Sequence, residues 1–363
     1  AKADWQKPIR VPYCYIEKLI IRKRVADQNA SWEGENYVRT GATLFKEVKD
    51  VKVDMNIDWD DTKAISPNLM GIFFEDISYA ADGGLYAELV QNRDFEYSAD
   101  DRREWNSKTS WKVEGDASFE ISTTNPIHAN NAHYAVFETK SLGAKLVNEG
   151  WDGIAVKAKA KYNLSLFVKG EGRVKVSLVN GDKQLASVVI SASNEWKQKK
   201  AVLVSTADAA KASLVLEPLQ QGTLDFDFIS LFPQDTYKGR ANGLRKDLAE
   251  VIADLKPRFV RFPGGCASHG NGINNIYHWQ ATVGNLWERQ GDYNTWNYHQ
   301  TRGLGFYEYF QFCEDIVAEP VPVLAAGVPC QNSSRGGAEG YRQNGQQGGI
   351  PFLKDLEGKP SPY

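Results

Sequence analysis

The spacing of apolar positions changes twice along the chain, and the change predicts two kinds of structure. In residues 45–96, and again from residue 236 onward, short apolar runs alternate with apolar positions at helical spacing. This order is typical of buried parallel strands joined by helices. In residues 97–235, apolar and polar positions alternate in short segments separated by turns, without helical spacing between them. The pattern predicts an α/β region into which an all-β region is inserted.

The all-β region is predicted to fold as a β-sandwich of the jelly-roll type, because it offers a series of short strands and no helix. Asn180-Gly181, between two of these strands, is a strong signal for a tight hairpin turn. The predicted strands are 118–122, 133–138, 153–158, 164–169, 174–179, 184–190, 197–204, 212–216 and 224–232.

Three apolar runs in the α/β region predict the strands of a parallel sheet. Segments with helical spacing separate them, and a strand–helix–strand order favours parallel pairing. A half-buried lead strand is predicted before them at 51–59, and a short helix after the first of them at 85–95. The three strands are predicted at 69–77, 259–262 and 320–327, and the main helices at 244–255 and 305–317.

Charged side chains lie where two of these predicted strands end. Glu75 and Asp76 end the first strand, and Arg261 precedes the turn Pro263-Gly264-Gly265 after the second. The carboxyl ends of parallel strands share one edge of a sheet, and α/β enzymes bind their substrates there. A guanidinium at that edge can hold a carboxylate or a sugar hydroxyl in a fixed geometry. Two interpretations stay open. Either these charged side chains form a substrate site, or Arg261 makes a structural salt bridge under the sheet and the two acids lie at a solvated strand end.

Composition narrows the range of partners. The net charge of -3 and the lack of a basic cluster argue against a nucleic-acid partner, and no apolar run is long enough to cross a membrane. Cys14, Cys266, Cys313 and Cys330 lack metal-ligand spacing and are too sparse for a disulfide framework. No cluster of His and Asp is evident either, so no metal and no other cofactor is expected. The 10 Trp and 16 Tyr suit a protein that stacks on sugar rings, although β-rich cores also use many aromatic residues.

Six long motifs follow one another in a fixed order between residues 66 and 315. They are SPNLMGIFFEDI (66–77), GGLYAELVQNRDFE (83–96), TYKG (236–239), LKPRFVRFPGGC (255–266), WQATVGNLWERQG (279–291) and GLGFYEYFQFCED (303–315). Together they resemble the α-L-arabinofuranosidases of glycoside hydrolase family 51, and the resemblance covers roughly residues 45–335.

The resemblance implies a (β/α)8 barrel that hydrolyses its substrate with retention, through two glutamates about 5 Å apart. The chain then supplies a partial (β/α)8 TIM barrel, its first three strands, with an inserted jelly-roll sandwich that resembles a carbohydrate-binding module. The acid/base and the nucleophile of the family follow the fourth and seventh strands, so both are expected beyond Tyr363 and no catalytic residue is assigned within the chain. The expected layout is an N-terminal extension of unclear role at 1–44, barrel at 45–96, insert at 97–235 and barrel at 236–363.

The resemblance also assigns substrate-binding positions. Glu75 matches a glutamate that hydrogen-bonds the hydroxyls of arabinofuranose, and Arg261 matches an arginine that steadies the active-site carboxylates. Cys266 stands at a position that is Cys in longer members, and Trp296 matches an aromatic residue at the mouth of the site. The chain departs from the family at His269, which replaces a glutamate.

The expected activity of the whole protein is release of terminal arabinofuranose from plant polysaccharides of the arabinan or arabinoxylan type. The 363-residue chain alone is expected to be inactive. Two alternatives stay open, a non-catalytic carbohydrate-binding protein and a related barrel hydrolase that acts on glucan or xylan. The expected partners are an arabinose-containing saccharide and either the missing half of the barrel or further copies of the chain. The expected location is secreted or periplasmic.

Overall fold

The computed structural model describes residues 64, 66–271, 275–325 and 330. The predicted lead strand at 51–59 and the N-terminal segment 1–44 lie outside the described residues. The described strands are β1 (Ile72–Phe73), β2 (Trp111–Glu114), β3 (Ala117–Ser122), β4 (Tyr134–Thr139), β5 (Lys145–Asn148), β6 (Ile154–Val156), β7 (Lys161–Gly170), β8 (Arg173–Asn180), β9 (Lys183–Ser191), β10 (Lys197–Val204), β11 (Ala209–Pro218), β12 (Gly222–Pro233), β13 (Phe259–Phe262), β14 (Asp292–Tyr293), β15 (His299–Gln300) and β16 (Glu319–Pro322). The α-helices are α1 (Lys246–Asp254), α2 (Cys266–His269) and α3 (Phe306–Ile316).

The strands β2 to β12 form two antiparallel sheets. One sheet has the order β10-β7-β12-β4-β3, and the other has the order β2-β5-β11-β8-β9 with β6 paired to β11. Alternate residues of β7, such as Leu164, Leu166 and Val168, are buried in a core to which both sheets contribute. The hairpin prediction is confirmed, because Asn180 pairs with Lys183 and Gly181 has a φ of 58°.

A separate three-stranded parallel sheet has the order β1-β13-β16. Its register places Phe73 opposite Arg261 and Phe262 opposite Pro322. Phe262 is fully buried and packs against α3, with its ring stacked on that of Tyr309 at 4.6 Å between centroids. On the other face of this sheet Phe73 is 53% exposed. One face of the parallel sheet is therefore covered by helix, and the other is open.

The α/β predictions hold for the two main helices, and three other segments differ from their predictions. The helices predicted at 244–255 and 305–317 are found as α1 and α3. The strand predicted at 69–77 is reduced to β1, although the Phe74 and Asp76 N–H groups still donate to the main-chain oxygens of Arg261 and Pro263. The strand predicted at 320–327 is found as β16, which begins one residue earlier and ends at Pro322; residues 326 and 327 lie outside the described residues.

The short helix predicted at 85–95 is wrong. The only helical segment there is a five-residue turn at Ala81–Leu85. The following segment is held in irregular form by polar contacts, because Glu88 accepts hydrogen bonds from Ser230 Oγ and from the Leu231 main-chain nitrogen of β12. Arg93 donates to the same Glu88 carboxylate at 2.8 Å, and its side chain is fully buried. Side-chain pairing with the sandwich has overridden the helical spacing of this segment.

Within the described residues, none of the helices has the length and apolar character needed to cross a bilayer.

The main helix α3 begins where the Thr282 hydroxyl accepts the Phe306 main-chain N–H, at 3.0 Å. It ends at Val317, which has a left-handed φ of 57°. These two ends fix the helix against the buried face of the parallel sheet.

Candidate functional site

The parallel sheet brings the carboxyl ends of its strands to one edge. Directly beyond β1, the Phe74 N–H donates to the Arg261 carbonyl at 2.8 Å, and the Asp76 N–H donates to the Pro263 carbonyl at 3.1 Å. Beyond β16, the Val323 N–H donates to the Phe262 carbonyl at 2.7 Å. The residues after all three strands are thus joined at the edge where α/β enzymes bind their substrates.

Glu75 is held at this edge by the turn that follows β13. Its Oε1 atom accepts hydrogen bonds from the main-chain nitrogens of Gly265 at 2.8 Å and Ala267 at 3.1 Å. Gly264 makes the close approach possible: it has a φ of +142°, and a Cβ there would lie 2.4 Å from Glu75 Cγ. No described residue donates to Oε2. Glu75 is therefore a half-buried carboxylate with one oxygen fixed and one oxygen available to a ligand.

Arg261 lies on the neighbouring strand, but the structure does not pair it with Glu75. Its guanidinium carbon stands 4.3 Å from the centre of the Phe73 ring, a cation–π contact on the open face of the sheet. No ion pair joins it to a carboxylate of the described residues. The strand pairing thus places Arg261 beside the site, and its side chain rests on an aromatic ring.

Cys266 is the first residue of α2, next to the Glu75 carboxylate. A hydrogen bond with the Cys330 thiol, burial, and the negative charges of Cys330 and Glu75 raise the pKa of Cys266 to about 11. Trp296 is half-buried in the loop between β14 and β15, where its main-chain nitrogen donates to Asn294 Oδ1 at 2.9 Å. The structure therefore brings Cys266 close to Glu75, whereas the hydrogen bond of Trp296 is made to Asn294 within the loop between β14 and β15.

Asp76 is a buried residue of this edge that the predicted site omitted. Its Oδ1 accepts from the Ala81 N–H at 3.0 Å, and its Oδ2 accepts from Gln300 Nε2 at 2.9 Å. Its main-chain oxygen accepts from the Tyr298 hydroxyl at 2.8 Å. Burial, and then the charge of Asp82, raise the pKa of Asp76 to about 7. The signal in the sequence was the second carboxylate of the Glu75-Asp76 pair.

An aromatic stack lies beside these acids. Tyr79, which follows the two carboxylates, stacks on Tyr298 with ring centroids 4.1 Å apart. The Tyr79 hydroxyl accepts from Arg102 Nη2 at 3.2 Å, and the ring meets the edge of Trp151 at 5.7 Å. Arg102 and Trp151 belong to the stretch predicted as the insert, so that stretch contributes directly to the surroundings of the site.

The loop that carries these groups is anchored by a buried ion pair. Glu308, in the first turn of α3, accepts from both terminal nitrogens of Arg289, at 2.9 and 2.8 Å. It also accepts from the Gly305 N–H and from Asn242 Nδ2. Arg289 in turn donates to the main-chain oxygens of Gly284 and Gly303. This network fixes the start of α3 relative to the loop.

Comparison with known families gives one match to a family model. The model described as the alpha-L-arabinofuranosidase 1 domain matches residues 251–347. This range includes β13, the turn that binds Glu75, and helix α3.

Curated relatives match a larger part of the chain. An extracellular exo-alpha-L-arabinofuranosidase of Streptomyces chartreusis is 40% identical over 280 residues, which are 73% of this chain and 33% of the relative. Alpha-L-arabinofuranosidase 1 of Arabidopsis thaliana is 35% identical over 284 residues, which are 73% of this chain and 41% of the relative. The chain thus spans less than half of the length of these relatives.

A solved structure extends the likeness to three dimensions. An arabinose-bound α-L-arabinofuranosidase of glycoside hydrolase family 51 superposes with a TM-score of 0.67 at 32% identity. The match covers 82% of this chain and 52% of that protein. The likeness therefore includes most of the described fold.

Proposed function

We infer the function of this chain from its family: it belongs to the α-L-arabinofuranosidases of glycoside hydrolase family 51. We propose that it forms the sugar-binding part of a retaining enzyme that releases terminal arabinofuranose from arabinan- or arabinoxylan-type polysaccharides. The observation that carries the proposal is Glu75, held by two main-chain N–H groups at the carboxyl edge of a parallel sheet.

Glu75 is proposed to bind the sugar, and not to carry out the chemistry. The Glu75 oxygen that receives no hydrogen bond from the described residues can accept hydrogen bonds from sugar hydroxyls, and such charge-assisted bonds are strong. The two main-chain donors on Oε1 keep the carboxylate in place before the sugar arrives, which reduces the ordering cost of binding. Arg261, Cys266 and Trp296 are proposed to complete the surroundings of the bound sugar.

The open face of the parallel sheet supports the proposal of a partial barrel. Phe73 and Arg261 lie opposite each other in the register on that face, and Phe262 lies on the helix-covered face. In a (β/α)8 barrel the inner face of each strand meets side chains of the other strands. We propose that residues 45–96 and 236–363 belong to such a barrel, and that residues 97–235 form a jelly-roll insert. The prediction that both catalytic glutamates lie beyond Tyr363 follows from this layout and stays a prediction.

The name of the Streptomyces relative describes an extracellular enzyme. From this likeness we propose that the protein also acts outside the cytoplasm, as a secreted or periplasmic enzyme. An arabinose-containing saccharide is accordingly the proposed partner.

The proposal is tested by measuring sugar binding and hydrolysis separately. Binding of L-arabinose to the 363-residue chain, its mass verified, is followed by saturation-transfer NMR. Glu75→Gln is expected to weaken binding by roughly 10- to 100-fold, because a hydrogen bond to a charged group contributes about 1.5–3 kcal/mol. Glu171→Gln, in an exposed turn of the sandwich, is the matched control and should bind like the parent chain.

Hydrolysis is measured as release of 4-nitrophenol from 4-nitrophenyl α-L-arabinofuranoside. The chain alone is expected to give no turnover, since the acid/base and the nucleophile are both expected elsewhere. Turnover that Glu75→Gln abolishes would support the function and contradict the expected position of the catalytic glutamates. Absence of both arabinose binding and turnover would count against the sugar site itself.

A further inference from the structure

Two cysteines that lie far apart in the sequence meet beside the candidate sugar site. Cys266 is the first residue of α2, and Cys330 follows the third strand of the parallel sheet. Both are present as thiols, and their side chains form a hydrogen bond with each other. A disulfide requires two cysteines that are near each other with their side chains directed together, and a thiol–thiol hydrogen bond meets both conditions.

The main chain holds both cysteines at the same helix. The Gly270 N–H donates to the Cys266 carbonyl at 2.9 Å and closes the single turn of α2. The Cys330 N–H donates to the Gly270 carbonyl at 3.1 Å. The end of the helix that Cys266 begins therefore sets the position of Cys330. The contact between the thiols is thus supported by hydrogen bonds of the backbone.

Cys266 lies between the two residues that bind the Glu75 carboxylate. The N–H groups of Gly265 and Ala267 donate to Glu75 Oε1 at 2.8 and 3.1 Å. A covalent bond from Cys266 to a second segment of the chain would tether both donors at once. Such a bond would therefore restrict the movement of the turn that binds Glu75.

The two thiols differ in their access to solvent. Cys266 is half-buried, and Cys330 is 1% exposed. A soluble oxidant therefore reaches Cys266 first, and Cys330 is placed to complete the reaction from within. The hydrogen bond with Cys330 and then burial raise the pKa of Cys266 to about 11, so little thiolate forms at neutral pH and thiol exchange is slow there.

We propose that Cys266 and Cys330 form a redox-sensitive disulfide that fixes the turn holding Glu75. The oxidant is a small-molecule disulfide such as oxidised glutathione. Disulfides persist outside the cytoplasm, which is the location proposed for this protein. The effect on the sugar site rests on the proposed role of Glu75 as a sugar ligand, whereas the bond itself does not.

The bond forms by two thiol–disulfide exchanges. The Cys266 thiolate attacks one sulfur of oxidised glutathione, forms a mixed disulfide and releases one glutathione thiolate. The Cys330 thiolate then attacks Cys266 Sγ, forms the intramolecular bond and releases the second glutathione thiolate. The two protons of the protein thiols pass to the two glutathione molecules, which also gain the two electrons that the protein loses.

Two measurable effects are expected from the bond. It closes a long loop of chain and so restricts the unfolded state, which should raise the midpoint of thermal unfolding by several degrees. It also orders the N–H donors of Glu75 before the sugar arrives. Arabinose should therefore bind roughly 2- to 10-fold more tightly to the oxidised chain, a gain equal to the cost of ordering one side chain.

The test is to map the disulfide in the full 363-residue chain. The chain is incubated with excess oxidised or reduced glutathione at about pH 8.5, the ordinary pKa of a cysteine thiol. It is then alkylated, digested and analysed by mass spectrometry. The oxidised sample should yield one cross-linked peptide that joins Cys266 to Cys330, and the reduced sample should yield none.

Two variants locate the bond. Cys330→Ser should leave Cys266 as a mixed disulfide with glutathione. Cys313→Ser removes a buried thiol of α3, is the matched control, and should still form the bond. If Cys330→Ser does not fold, peptide mapping of the parent chain still decides the pairing. Cys266 that remains a thiol or a mixed disulfide in the parent chain would overturn the proposal, as would a bond to Cys14 or Cys313.

The effect on the sugar site is measured separately, by saturation-transfer NMR with L-arabinose on the oxidised and the reduced parent chain. Tighter binding by the oxidised chain supports the proposal, and equal affinity of the two forms would overturn the effect of the bond on the site. Absence of arabinose binding in both forms would contradict the proposed sugar site, and with it this effect. The mapped peptide would still establish the disulfide in that case.

Discussion

The β-sandwich and the α/β region of this chain are stabilised in different ways. The sandwich buries a continuous set of aliphatic and aromatic side chains between its sheets, and its ion pairs are exposed, such as Lys112–Glu149, or half-buried, such as Lys169–Asp225. The α/β region has a smaller apolar core and buries more charged groups beside it, among them Asp76, Asp82 and the Arg289–Glu308 pair. Alternating strands close a core by themselves, whereas a short parallel sheet with one open face depends more on polar contacts between its loops.

The two regions also build their chain reversals differently. In the sandwich, most of the residues at positive φ are glycines, such as Gly143 and Gly181, although Phe228 also takes such an angle. In the described α/β region, most of them carry a side chain, including Ser78 and Val317, although Gly264 is among them. Left-handed backbone is costly for residues that carry a Cβ, above all for a β-branched one. Strain of this kind persists only where surrounding contacts hold it in place.

The largest effect is expected from removing one partner of a buried ion pair. Glu308→Ala should reduce the free energy of unfolding by about 3–5 kcal/mol, because it leaves the buried Arg289 guanidinium without its carboxylate. Glu149→Ala removes an ion pair of similar length in the sandwich, 2.7 Å against 2.8 Å, but the Glu149 side chain is 55% exposed. That change should cost less than about 1 kcal/mol. Urea denaturation measures the loss of stability in both variants. Equal losses would contradict the idea that buried ion pairs stabilise the α/β region more than exposed ones stabilise the sandwich.

The next effect is a dependence of stability on pH that comes from Asp76. Its pKa is about 7 in the folded chain, against an ordinary value of 3.8 for an aspartate, so between these values the folded state holds more protons than the unfolded state. Stability from this group is therefore present at pH 4 and is lost as the pH rises through 7, a change of the order of 4 kcal/mol.

Asp76→Asn should remove this pH dependence. Compared with the parent chain, the variant is expected to be relatively less stable at pH 4 and relatively more stable at pH 7.5, by chemical denaturation at each pH. Asp182→Asn, on the exposed hairpin of the sandwich, is the control, and its free energy of unfolding should vary with pH in the same way as that of the parent chain. A difference between parent and Asp76→Asn that stays constant with pH would mean that Asp76 is ionised throughout this range.

Local patterns predicted the two main helices because helical spacing depends on neighbouring residues. The helical spacing of 244–255 and the buried run at 259–262 needed no distant partner to be interpreted, and the glycines after Arg261 correctly marked a sharp turn. The helix at 85–95 was predicted wrongly because its polar residues pair with Ser230 and Leu231, more than a hundred positions away. Spacing within a segment carries no information about such contacts.

The absence of information about distant contacts also explains what sequence analysis missed at the candidate site. Asp76 is held by Gln300 and Tyr298, which only the folded loop brings to it.

The smallest effect tests the contrast between the chain reversals. Val317 ends α3 at a φ of 57° and is 85% exposed, so glycine there loses little packing and relieves backbone strain. Val317→Gly should therefore raise the free energy of unfolding by about 1 kcal/mol. Gly181→Ala is the mirror experiment in the sandwich: at a φ of 58°, with no atom within 4 Å of the added Cβ, it should lower stability by about 1 kcal/mol through the backbone alone. Urea denaturation should show changes in the free energy of unfolding that are opposite in sign for the two variants, if a left-handed φ favours glycine equally at the helix end and in the hairpin. A loss of stability in Val317→Gly would show that the valine side chain contributes contacts that outweigh its strain.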